Sequence, residues 1–216
     1  MGAGCGHSHG TFDGMSDTYK RRLWVVIALN AGMFAVEMTA GHAARSQALM
    51  ADALDFLGDA LTYGLSLAVI GASARVRANA ALAKAASLLA MGLWVAGSTF
   101  YRVFVAGVPE AQVMGAVGAL ALAANVASVL LLVAYKDGDA NVRSVWLCSR
   151  NDAIGNIAVM IAALGVWGTA TGWPDLIVAG VMAVLFLTSA VQITAQALAE
   201  RRAVTSSPDN AAGTRV

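Results

Sequence analysis

The stretch LMADALDFLGDALTYGLSLAVI, residues 49–70, has the length and apolar character of a membrane-crossing helix, yet it holds Asp55 and Asp59 one helical turn apart. A helix needs about 20 residues to cross the ~30 Å hydrocarbon layer of a bilayer. An ionisable group at that depth costs roughly 2.5–3.5 kcal/mol on insertion scales, so such groups are rarely idle. Side chains four residues apart stack on one helix face, and Asp52 falls in the same stripe, about 60° wide at 100° per residue. Cys148 and Asp152 repeat the i, i+4 spacing in another apolar stretch near the far end. Acids left unpaired in hydrocarbon are costly, and a divalent cation relieves that cost. The two pairs therefore predict a metal site with Asp55, Asp59, Cys148 and Asp152 as ligands. Four donors suit a tetrahedral, zinc-like ion. The thiolate favours zinc or cadmium over magnesium or calcium.

Composition supports a chain built for lipid. Of its 216 residues 58% are hydrophobic and only 12% charged, against about 25% charged in soluble domains. The net charge of +1 argues against a nucleic-acid partner. Cys5 and Cys148 are too few, and too differently placed, for a disulfide framework. Residues 1–22 read as a polar cytoplasmic tail and residues 200–216 as a short disordered one. Between them, residues 23–199 form a transmembrane domain.

Six spans fit within it: Leu23–Ala44, Leu49–Ala72, Ala80–Phe104, Val113–Tyr135, Val142–Ala162 (extending to Trp167) and Leu176–Leu198. The breakers Gly107-Val108-Pro109, Asp137-Gly138-Asp139 and Gly172-Trp173-Pro174 separate them. The expected fold is an all-α, six-helix integral membrane bundle. Lys20, Arg21, Arg22, Arg75, Arg77, Lys136, Arg143, Arg201 and Arg202 all fall on one side of it, against Arg45 and Arg102 on the other. The excess of basic residues marks the cytoplasmic face and puts both termini there. With that orientation, Asp55 and Asp59 in the second span and Cys148 and Asp152 in the fifth lie at similar depth.

The segment Ser46 to Asp59, SQALMADALDFLGD, resembles the second-helix signature of the cation diffusion facilitator family, proton-coupled exporters of zinc and related metals. There a His or Asp is followed four residues later by Asp, which are Asp55 and Asp59 here, and Asp52 matches an acidic position upstream. Asn30 and Glu37 match polar positions of the family's first helix and are ion-path candidates. In the fifth helix Arg143, Cys148 and Asp152 occupy the places of a basic residue, a His or Asp, and an Asp. Cys148 departs from that pattern, and Asn151 or Asn156 is an alternative oxygen donor. The sixth span is followed by only about 17 residues, where most members continue into a soluble metal-binding domain, so any homodimer contact falls to the membrane helices.

The resemblance implies efflux of a divalent cation, zinc before cadmium, cobalt or manganese, by alternating access and in exchange for protons. Metal ligands must be deprotonated to bind, so metal and protons compete for one set of groups. The metal is cargo, no cofactor is expected, and the implied location is a bacterial inner membrane. The competing reading is a membrane metal sensor or accessory protein that does not transport. An enzyme is disfavoured, since no second His/Glu cluster supplies a general base in a span. Around the site, Asp52 either orients a ligand or pairs with Arg150. Glu37 is costly to bury and so suggestive, while Asn30 serves equally as a helix–helix hydrogen bond. Cys5, His7 and His9 either gather metal at the cytoplasmic entrance or bind it incidentally.

Overall fold

The computed structural model describes residues 16–69, 71–105, 107–136 and 140–206. Six long helices account for nearly all of them: α1 (Asp17–Ala44), α2 (Gln47–Ala68), α3 (Ala74–Val105), α4 (Ala111–Leu132), α5 (Ala140–Thr169) and α6 (Trp173–Ser206). A 3₁₀ turn, Val133–Tyr135, finishes α4. Short connections make successive helices antiparallel, so both ends of the chain's helical part lie on the side that carries most of the basic residues, here called the basic end.

Each start and stop has a local cause. Ser16 caps α1 by accepting the Tyr19 N–H, and Ser46 caps α2 by accepting that of Leu49; both are side chains that satisfy a first-turn N–H. Between α1 and α2 the chain reverses at Arg45, whose left-handed backbone (φ 58) directs its N–H to the Gly41 and His42 carbonyls. Gly71, at φ 75, serves the turn after α2. Two helices outrun their apolar spans. The α3 helix begins six residues before Ala80, at Ala74, and α6 continues to Ser206, so Arg201 and Arg202 ride on a helix within the stretch read from the sequence as a tail.

Five helices, all but α2, are both long and apolar enough to cross a membrane on their own. The exception has the length, 22 residues, but carries Asp52, Asp55 and Asp59. It is sheltered instead: eleven of its 22 residues are buried, against eight of 28 in α1. The α2 helix packs on α1, α3, α5 and α6, which lets it carry acids that a lipid-facing helix could not. The chain is therefore a multi-pass membrane protein whose most acidic helix, with Asp52, Asp55 and Asp59, sits inside the bundle.

The outer helices show single inward stripes. In α4 the buried residues are Met114, Gly118, Ala121, Asn125, Ser128 and Leu132, spaced by three and four. The opposite faces, with Trp24, Phe100, Phe104 and Trp167, are exposed apolar surface fitted to lipid. Lipid tails match these side chains in polarity, so close packing and hydrogen bonds hold the bundle. A Cβ on Gly92 of α3 would stand 2.9 Å from Leu187 of α6, and one on Gly118 of α4 would stand 3.2 Å from Met160 of α5. Those two glycines set the approach of the α3–α6 and α4–α5 pairs.

Candidate metal site

On α2, Asp55, Asp59 and Tyr63 recur every four residues and turn one face toward α5 and α6. On α5, Cys148 and Asp152 answer them. A cavity of about 430 Å³ opens between α2, α3, α5 and α6, and Asp55, Asp59, Cys148 and Asp152 all line it. Lys84, Asn151, Gln192 and Gln196 contribute further polar groups to its wall, and Leu88, Met182 and Phe186 are part of its apolar lining. Gly155 lines it too, and a Cβ there would meet nothing within 4 Å. This glycine keeps space open on the α5 side of the cavity.

Within the cavity Asp152 faces both α2 carboxyls, near enough to Asp55 and to Asp59 for side-chain hydrogen bonding if one partner holds a proton. The Tyr63 hydroxyl donates to Asp59 and lies 3.3 Å from the Ser149 hydroxyl. Tyr63 is fully buried, its ring packed with Tyr19, Leu23, Val26 and Leu132, and Cys148 rests against the same cluster. The thiol is thus half-buried between an apolar floor and the acidic cavity. Among the described residues, no three His, Cys, Asp or Glu side chains already stand at metal-binding spacing. The four predicted ligands share one cavity as pairs set around it.

A second polar group runs behind the cavity. Asn156 of α5 donates to Asp52 at 2.7 Å and accepts from Asn125 of α4 at 2.9 Å. Glu37 of α1 reaches the same place, wholly buried, and faces Asp52 closely enough for a hydrogen bond if one of the two carboxyls holds a proton. Asn30 donates back to the Val26 carbonyl of its own helix at 2.8 Å. Asp52, Glu37 and Asn156 therefore form a buried seam outside the cavity lining, Asn30 is buried two turns away along α1, and Asn151 lines the cavity itself. Asp52 draws its hydrogen bond from Asn156; Arg150, the alternative partner, is exposed and donates to Asn151 at 3.3 Å. Cys5, His7 and His9 lie outside the described residues.

The cavity occupies the middle of the bundle and the half toward the basic end. Toward the opposite end the same helices close on Ala51, Val95 and Ala179, which are at most 1% exposed. There Asp175, in the first turn of α6, accepts from the Ser46 hydroxyl and from the Gln47 and Ala48 N–H groups. The seal is thus apolar packing reinforced by a buried cap.

A family model described as the cation efflux transmembrane domain matches residues 23–200, from the second turn of α1 to the last turns of α6. The chain belongs to the cation efflux family. Among its relatives, the metal cation efflux system protein CzcD of Cupriavidus metallidurans is 25% identical over 184 residues, 80% of this chain and 57% of that protein. The zinc transporter ZitB of Escherichia coli is 28% identical over 200 residues, 85% of this chain and 63% of that protein. The chain thus spans roughly three fifths of the length of these cation efflux proteins. The family membership agrees with the reading of SQALMADALDFLGD as its second-helix signature. Tyr63, Lys84 and Asp175 were not singled out as functional from the sequence. Tyr63 was within reach of such a reading, since it continues the Asp55–Asp59 spacing by one more turn.

Proposed function

We propose that the bundle binds a divalent transition-metal cation between Asp55, Asp59, Cys148 and Asp152 and exports it in exchange for protons, with zinc as the preferred cargo. The observation that carries this reading is the shared cavity: the two i, i+4 pairs, 89 or more positions apart in the chain, line one 430 Å³ space. Membership of the cation efflux family, and the names of CzcD and ZitB as a metal cation efflux system protein and a zinc transporter, point the same way.

In this mechanism the basic end faces the cytoplasm of a bacterial inner membrane, following the distribution of Lys and Arg. Metal enters from that side and displaces protons from the donors, because bound ligands must be deprotonated. Three carboxylates and a thiolate draw in around the ion, α2 moving against α5. Parting of the Ala51, Val95 and Ala179 seal then opens the far side, where protons reclaim the ligands and release the ion. The buried Asp52–Asn156–Asn125 chain holds the α2 acids in register with α5 throughout.

Reconstituted vesicles loaded with a zinc-sensitive dye test the proposal. Wild-type protein is expected to move zinc when a proton gradient is imposed, and Asp59→Ala to abolish that flux. Undiminished zinc flux in Asp59→Ala would defeat the site. Binding without flux in wild type would favour a sensor.

A further inference from the structure

Among the described residues that line the cavity, Lys84 is the single basic side chain. A fixed positive charge is out of place in a chamber built for dications, and its position is not one of surface chance. Lys84 lies about ten residues into α3, half-buried, on the stripe it shares with Leu88 and Met91, which pack into the α2–α3–α6 core. It lines the same cavity as Asp55, Asp59, Cys148 and Asp152. A lysine ammonium is a compact point charge on a flexible four-carbon stem, so it can stand over the acids or swing clear of them.

We propose that Lys84 is a tethered counter-cation: its ammonium offsets the acidic groups while the cavity is empty of metal, and an arriving dication must displace it. This deepens the reading of the cavity as a metal site and rests on it. The consequence is a site of deliberately moderated affinity. A transporter must bind its ion strongly enough to load and weakly enough to unload. Lys84 supplies the weakening without removing a ligand, and it returns to the acids as the ion departs.

The test is calorimetric zinc titration of the purified full chain in detergent, comparing wild type, Lys84→Gln, Lys84→Arg and Asp59→Asn. Repulsion between a unit charge and a dication across a water-filled space is worth at least roughly a fivefold change in affinity, and more in a drier one. Lys84→Gln is therefore expected to bind zinc about fivefold or more tightly than wild type, with Lys84→Arg near wild type. In vesicles the same Gln variant should show a lower KM and a lower kcat, because release is slowed. A merely structural lysine would instead shift the melting point and leave affinity alone or weaken it. Equal or weaker binding in Lys84→Gln, with Asp59→Asn still impaired, overturns the role of Lys84 and leaves the metal site standing. Undiminished binding in Asp59→Asn overturns both.

Discussion

The carboxylate of Asp175 accepts the Ser46 hydroxyl at 2.6 Å, so the first turn of α6 caps the start of α2. Its oxygens also take the Gln47 N–H at 2.8 Å and the Ala48 N–H at 3.0 Å. Helix N-termini leave N–H groups without intrahelical partners, and an acid there also meets the positive end of the helix dipole. This cap ties together the two helices that must part if the cavity is to open at its sealed end.

Replacing Asp175 with Ala leaves a buried hydroxyl and two buried N–H groups without their acceptor. The expected loss is about 2–4 kcal/mol of stability, seen as a lowered midpoint of thermal unfolding in detergent. Asp175→Asn keeps one acceptor oxygen and should fall between the two. Equal midpoints for wild type and Asp175→Ala would show that the cap holds nothing.

Asn156 sits at the centre of a chain of side-chain amides, donating to Asp52 and accepting from Asn125. Asn156→Ala removes the donor to Asp52 and the acceptor of Asn125 at once, inside a region with almost no exposed surface. A drop of about 2–3 kcal/mol is expected, the usual penalty for orphaned buried polar groups. Metal affinity should fall as well, since Asp52 no longer steadies the α2 stripe. Asn125→Ala, which leaves the Asn156–Asp52 bond intact, is expected to reduce stability but spare affinity. Parity of the two variants in zinc binding would remove Asn156 from any role in positioning.

Tyr63→Phe isolates one hydrogen bond. The ring continues to fill its place among Tyr19, Leu23, Val26 and Leu132, so the stability should hold within about 1 kcal/mol. Asp59 loses its hydroxyl donor, however, and groups that orient a metal ligand are typically worth 10–100-fold in affinity. Zinc binding is expected to weaken by about tenfold on that scale. Unaltered binding by titration would place Tyr63 in the core alone.

The helices were readable because apolar length and Gly/Pro breakers are local signals. Their ends were less so. Arg75 and Arg77 are polar residues that continue a helix beyond the membrane, which hydropathy cannot register, so α3 starts six residues earlier than its apolar run. The pairs Asp55–Asp59 and Cys148–Asp152 were visible as charge in the wrong solvent, and the structure sets them around one cavity. Lys84 and Asp175 gave no such sign. Lysine reads as an ordinary helix residue until α2 is placed beside it, and Asp175 meets Ser46 across 129 positions of chain. Glu37 and Asp52 were noticed individually, but their common seam with Asn125 and Asn156 depends on how four helices pack.

Cys148 is where the cavity departs most from an all-carboxylate site, and a metal panel measures what it contributes. Thiolate sulfur is a soft donor that favours zinc and cadmium, while carboxylate oxygen suits manganese. Cys148→Ser exchanges sulfur for a harder oxygen in nearly the same volume and leaves Asp55, Asp59 and Asp152 in place. Cadmium and zinc transport should therefore fall by at least about tenfold while manganese transport changes little, turning the preference toward harder ions. Rates in vesicles for all three metals, each at saturating concentration, provide the comparison. Were the three to fall together, the thiol would be packing against Tyr63 and the Leu23 cluster without touching the ion, and Asn151, the exposed amide on the same cavity wall, would become the fourth donor to test.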